Sequence, residues 1–286
     1  MIYLLLGILS STFIVVLFKT VAKKDIKLLP IIVFNYIIAT ALGLLLNNVK
    51  LDFGQIIGSS WFVGAIFIGA LFIIGFFLIG YATQKIGISI TTISNKMSVV
   101  LPILFSIIYF KEEIDSLKIL GIILSLIAIS LASFQKRKKE SINLKYIYLP
   151  IFLFLAIGSM DSLVKLSQSK FDQSIIPVFT AVTFGIAGII GIIISLFAKL
   201  KLKDYFNTRT ILHGILLGLL NYGSLYFLVN ALSKSGIDSS IVFGINNIGI
   251  IVLSITVAFV FFKEKITLIN FVGILLAILS IIIFFV

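Results

Sequence analysis

Residues Ile237–Phe262 read IDSSIVFGINNIGIIVLSITVAFVFF, a run whose one charged side chain, Asp238, stands at its start, and Lys263-Glu264-Lys265 follows at once. The hydrocarbon core of a bilayer is about 30 Å thick, and about 20 apolar residues cross it as a helix. Isoleucine, valine and phenylalanine favour strands in water. In hydrocarbon a lone segment must satisfy its own backbone groups, and only a helix does so. A barrel strand would alternate apolar and polar positions over about ten residues, and this run does not alternate. The stretch therefore predicts a membrane-spanning helix.

Working outward, the same pattern fills the chain. Apolar runs fall near Ile2–Phe18, Leu28–Leu46, Trp61–Ala82, Ile88–Phe110, Ile114–Phe134, Tyr146–Leu166, Ser174–Ala198, Ile211–Leu232, Ile237–Phe262 and Ile266–Val286. They predict ten spans joined by short charged connections. Of 286 residues, 60% are hydrophobic and only 12% charged, against about 25% charged in a soluble domain. Lipid must stand in for the missing polar shell. No cysteine is present, which excludes disulfides, zinc–thiolate and iron–sulfur centres and a cysteine nucleophile. The net charge of +12 sits in small groups between the runs rather than on one face. That pattern argues against nucleic acid and for orientation signals that meet anionic lipid. The first basic residue, Lys19, follows the first apolar run, the reverse of a signal peptide, so that run reads as the first span.

The chain also repeats itself. Ala82-Thr83-Gln84-Lys85-Ile86-Gly87-Ile88 returns 149 positions on as Ala231-Leu232-Ser233-Lys234-Ser235-Gly236-Ile237, and Gly69 and Gly218 keep that offset. Phe110-Lys111-Glu112 returns 152 positions on as Phe262-Lys263-Glu264, and Gly121-Ile122 as Gly273-Ile274. Pro30 and Pro177 lie 147 apart. The basic stretch Lys136–Lys139 reads as the junction, which divides the chain into repeats 1–139 and 140–286. Five spans is an odd number, so the second copy enters the membrane upside down. The expected fold is an all-α integral membrane protein, ten transmembrane helices in two inverted five-helix repeats. Inverted repeats recur among secondary transporters, with a binding site near mid-membrane.

With these features in this order, the chain resembles the ten-helix, EamA-like branch of the drug/metabolite transporter superfamily. The features that carry it are the Lys-Glu turns Lys111-Glu112 and Lys263-Glu264, each followed by a Gly-containing span. The Ala-x-x-x-x-Gly-Ile passages at Ala82 and Ala231 fit too, as do Pro102 within the fourth span and Lys19 and Lys165 closing the first and sixth. The family usually has Gly where Lys111 and Lys263 precede the turn glutamates, and no second-half proline matches Pro102. The resemblance implies export or exchange of amino acids, metabolites or drugs without ATP hydrolysis. It also implies both termini in the cytoplasm, whereas the excess of Lys and Arg after odd-numbered spans puts them outside.

Polar residues inside spans are the candidate substrate-binding set, because a charge near mid-bilayer costs about 2.5–3.5 kcal/mol on insertion scales. Lys96, with Asn95 beside it, lies some eight residues into the fourth span. It either meets an anion or snorkels to the interface. In the ninth span Asn246 adjoins Asn247, and Ser240, Asn247 and Ser254 share a stripe; the amides hold a polar solute or a neighbouring helix. Tyr222, Tyr226 and Asn230 form a stripe in the eighth span, with Asn221 adjacent. Asp161 stands four residues before Lys165, as a local ion pair or as a coupling carboxylate. Asn35 and Tyr36 are candidates in the second span. Glu112 and Glu264 read as structural, each meeting the positive end of the next helix. His213 reads as a surface or interface residue and Trp61 as an interfacial anchor.

The expected function is secondary transport or export of small polar or amphipathic metabolites by alternating access at the cell membrane, with no cofactor and no metal. The partners are a small-molecule substrate, membrane lipids and, as coupling ion, protons. The rivals are a non-transporting assembly partner and a membrane-embedded lipid-modifying enzyme; the enzyme would need paired acids, a histidine cluster or a metal site.

Overall fold

The computed structural model describes residues 1–22, 27–49, 52–86, 88–132, 146, 148–198, 202–263 and 267–284. Lys136–Lys139 and Glu264 lie outside the described residues. Every α-helix described falls in the order α1 (Ile2–Ala22), α2 (Leu28–Leu45), α3 (Phe53–Ile57), α4 (Phe62–Ile86), α5 (Ile88–Met97), α6 (Val100–Phe110), α7 (Ser116–Ala132), α8 (Tyr148–Gln168), α9 (Ile176–Phe197), α10 (Leu202–Tyr205), α11 (Thr208–Lys234), α12 (Ser239–Phe262) and α13 (Leu268–Ile283). Among the described residues, six helical stretches are long and apolar enough to cross a membrane: Leu28–Leu45, Phe62–Ile79, Tyr148–Gln168, Gln173–Phe197, Thr208–Lys234 and Ser239–Phe261. Shorter apolar helices occupy Ile2–Phe18, Ser94–Phe110, Ser116–Ala132 and Leu268–Ile283.

The fourth apolar run departs from expectation. It is not one helix but two, α5 and α6, with a break at Ser98 and Val99. Pro102 has no N–H to give the carbonyl of Ser98, four residues back. That carbonyl takes the N–H of Leu101 instead, at 3.0 Å. The Ser98 hydroxyl donates back to the Asn95 carbonyl at 2.5 Å, so the end of α5 is closed locally.

By contacts the chain forms two compact units, Met1–Ile73 with Leu166–Gly236, and Ile74–Lys165 with Ile237–Val286. Each draws on both halves of the sequence. In the first, α2 packs against both α9 and α11, and α11 also packs against α1. Glycines permit the close approach. A Cβ on Gly218 would lie 2.8 Å from the Asn35 carbonyl oxygen and 2.6 Å from Ile38 Cβ. A Cβ on Gly69 would lie 2.7 Å from the Thr183 carbonyl oxygen and 3.0 Å from Ile186 Cβ. Thr183 and Ile186 each stand 148 positions after Asn35 and Ile38.

In the second unit α7 and α13 run antiparallel. Gly273 abuts the backbone of Ala132, while Gly121 abuts the Phe284 ring. The Ser280 hydroxyl donates to the Gly121 carbonyl at 2.8 Å, and the Asn270 amide to the Ala132 carbonyl at 2.9 Å. Gly121 and Gly273 are 152 apart, as are Ala132 and Phe284, so the contact is reciprocal.

The two Lys-Glu turns share one backbone geometry. Lys111 closes α6 at φ 53°, ψ 41°, and Lys263 closes α12 at φ 54°, ψ 34°. Helices commonly end in this left-handed conformation, usually on glycine. The next helices start alike: the Asp115 carboxylate accepts from Lys118 N–H at 2.6 Å, and the Thr267 hydroxyl from Asn270 N–H at 3.3 Å. A left-handed L-residue costs roughly 1–2 kcal/mol. Lys111→Gly and Lys263→Gly are each expected to raise stability by about 1 kcal/mol in thermal unfolding of the detergent-solubilised protein. A loss of stability in both would contradict the backbone reading.

Two expectations need correction. Trp61 is only 4% exposed; its ring stands edge-on to Phe171 and Phe179, at 6.1 and 5.9 Å, so it fills a core rather than anchoring at an interface. His213 is buried, with Nδ1 2.6 Å from the Arg209 carbonyl, because it points back along the first turns of its own helix rather than outward.

Candidate functional site

The expected site residues fall into two groups, one in each unit. In the first unit, Gly218 lets α11 lie on the α2 backbone. Asn221, three residues on, shares that face. Its Nδ2 donates to Asn35 Oδ1 at 3.1 Å, inside a buried pair. The Tyr222 and Tyr226 rings stack at 5.3 Å and 17°. Asn230, the last of that stripe, donates to the Tyr226 carbonyl at 2.8 Å and is used locally. Among the described residues, Asn35 Nδ2 and the Tyr222 hydroxyl are buried without a hydrogen-bond partner. A buried polar group left unpaired costs about 1–3 kcal/mol, and such groups mark a place for water or a ligand. A serine pair missed in the sequence, Ser11 and Ser224, joins α1 to α11 at 2.7 Å.

In the second unit, Gly158 seats α8 on the break in the fourth run. A Cβ there would lie 2.7 Å from the Ser98 carbonyl oxygen. Asp161 follows Gly158 by three residues on the same face. Its main charged neighbour is Lys96 rather than Lys165, and Lys165 in turn interacts with Glu112. Lys96 and Asp161 are both partly buried. Asn246 is 7% exposed, and its Oδ1 has no partner among the described residues. Asn247 donates to the Phe243 carbonyl of its own helix at 3.2 Å. Asn95 is partly buried. A groove of about 460 Å³ runs between α6 and α8, lined by Leu101, Leu104, Phe105, Ser159, Ser162 and Leu163 and by none of the expected site residues.

Glu112 meets a helix N-terminus, but not that of the next helix, whose cap Asp115 supplies. Its carboxylate accepts from the N–H groups of Ser239 and Ser240 at 2.8 and 3.2 Å and from the Ser240 hydroxyl at 2.5 Å, so it caps α12. Lys118, 5% exposed, lies 3.4 Å from Glu112 and 2.6 Å from Asp238, and donates to the Glu113 carbonyl at 2.9 Å. Lys118 stands out only through this long-range pairing. The charges of this unit thus fall into two sets: Lys96 with Asp161, and Lys165, Glu112, Lys118 and Asp238 together.

Residues 1–134 match the EamA-like transporter family. An uncharacterized protein of Haemophilus influenzae is 27% identical over 285 residues, covering 97% of this chain and 95% of its own. A chain of known crystal structure, 13% identical, superposes with a TM-score of 0.73 over 99% of this chain and 94% of that one, which shows a shared fold. The match over residues 1–134 is to a family of membrane transporters, in keeping with the apolar helices described above.

Proposed function

We propose that the protein is a secondary transporter with ten spans in two inverted repeats, residues 1–139 and 140–286, working by alternating access on small polar or amphipathic solutes. The observation that carries this reading is the matched helix crossing: Gly69 on Thr183 and Ile186, and Gly218 on Asn35 and Ile38. Equivalent glycines meet equivalent residues of the other copy, as a two-fold relation between repeats requires. The reciprocal Gly121–Phe284 and Gly273–Ala132 contacts support the same reading. The site residues supply the second support. Lys96, Asp161 and Asn95, with Asn246 and Asn247, place charge and amides within the apolar runs of the sequence. Asn35, Asn221, Tyr222 and Tyr226 place a half-satisfied polar cluster on others. Intramembrane ionisable groups of this kind mark solute pathways by default.

The test is flux. Purified protein in liposomes should move one or more radiolabelled solutes from a panel of organic acids, amino acids and amides above protein-free controls. Lys96→Ala should lower that flux at least about tenfold, as loss of one charge-assisted contact of roughly 1.5–3 kcal/mol would give. A folded Lys96→Ala variant with undiminished flux would remove Lys96 from the pathway.

A further inference from the structure

The charges of the second unit carry an inference about what is moved, and it rests on the transport reading above. Among the described residues, neither the Lys96 nor the Asp161 side chain makes a hydrogen bond or a contact ion pair, although each feels the other's charge. The close approach of Gly158 to the Ser98 carbonyl sets α8 against the end of α5, so Asp161, three residues after Gly158, and Lys96, two before Ser98, stand on packed helices that read as membrane-spanning. The other charged groups nearby are engaged. On α8, Lys165 interacts with Glu112 and lies 5.0 Å from the centre of the Phe110 ring. Glu112, after α6, and Asp238, before α12, pair with Lys118 of α7. Lys111 is exposed at the αL turn. Asn246 and Asn247 of α12 are neutral. Among the described residues of this unit, Lys96 and Asp161 are partly buried charges without a hydrogen bond or contact ion pair.

The empty pair is neutral. An anionic group that enters and binds the Lys96 ammonium leaves Asp161 as an uncompensated carboxylate in an apolar setting. An unpaired buried charge is strongly disfavoured, and a carboxyl in that position neutralises by taking a proton. A proton arriving without an anion leaves the reverse excess. With Lys96 held as the ammonium, two states keep the pair neutral: Asp161 carboxylate with no anion bound, or a bound anion with Asp161 protonated. The proton comes from water onto a carboxylate oxygen of Asp161 and returns to water when the anion leaves.

We propose that Lys96 and Asp161 form a site that loads one small organic monoanion together with one proton, so that the protein moves the two as an electroneutral pair.

The experiment uses the full-length protein in liposomes with an internal pH dye. The probes are radiolabelled pyruvate and lactate as monoanions, glycine as a zwitterion and acetamide as a neutral solute. Pyruvate or lactate uptake should acidify the lumen with one proton per anion. An acid-outside gradient of one pH unit should raise equilibrium accumulation about tenfold, and a potassium diffusion potential should leave it unchanged. Asp161→Asn, which mimics the protonated carboxyl, should still exchange labelled for unlabelled anion but lose the response to the pH gradient. If that variant does not fold, the wild-type proton count decides alone. Anion uptake that follows membrane potential without proton movement overturns the proposal. So does uptake confined to glycine or acetamide, which leaves the transport reading standing. No movement of any probe or of any solute in the wider panel overturns both.

Discussion

Glu112→Ala is expected to destabilise the protein by roughly 3–5 kcal/mol, the loss that follows when one partner of a buried ion pair is removed. Glu112 and Lys118 side chains are 8% and 5% exposed, so solvent screens little of their attraction. The substitution leaves the first-turn N–H groups of Ser239 and Ser240 without their acceptor and the Lys118 ammonium facing only Asp238 and the Glu113 carbonyl. Asp238 is 45% exposed and compensates weakly. Glu112→Gln keeps an acceptor and loses the charge, so it should cost about half as much. Glu112→Met with Lys118→Met should recover most of the loss, because an apolar pair of similar volume leaves no buried charge. Denaturant unfolding in detergent measures all three. A loss below about 1 kcal/mol in Glu112→Ala would mean that the network is a surface feature.

The second large effect belongs to the glycines at helix crossings. Gly69→Ala and Gly218→Ala each push a methyl against a backbone carbonyl, which cannot rotate aside as a side chain can. Overpacking of this kind costs about 1–3 kcal/mol, and the two should cost alike because they meet equivalent atoms. Gly273→Ala, set against the Ala132 backbone itself, should cost at least as much. Gly185→Ala is the control. Its Cβ would find Thr40 Cγ2 at an ordinary 3.6 Å, and alanine is favoured over glycine within a helix by roughly 0.5–1 kcal/mol. If Gly185→Ala proves as harmful as Gly218→Ala, helix contact is not what these glycines serve.

The helices were legible because length and apolarity decide them. The run Ile237–Phe262 predicts a span and contains one uninterrupted helix, α12. The glycines at 69, 121, 218 and 273 were legible as repeat markers, because the offset survives where close packing forbids a Cβ. The break in the fourth run was half legible. Pro102 announces it, but that Gly158 packs on the Ser98 carbonyl depends on a helix sixty residues on. The partner of Glu112 was not legible either. Local reasoning sends it to the next helix, and Asp115 already holds that cap. Its true partners, Ser239 and Ser240, lie 127 and 128 residues away. Asp161 misleads in the same way, since the i,i+4 rule points to Lys165 while the facing charge is Lys96. Spacing along one helix cannot rank a neighbour on another.

The inverted repeat is open to one direct measurement. The chain has no cysteine, so any thiol placed in it is the only one. Lys111 and Lys263 are exposed, follow the fourth and ninth apolar helices, and share one backbone conformation. In sealed vesicles of uniform orientation, Lys111→Cys and Lys263→Cys should react with a membrane-impermeant maleimide from opposite sides of the membrane. Labelling of both from the same side would contradict the inverted arrangement and the transport route proposed through it.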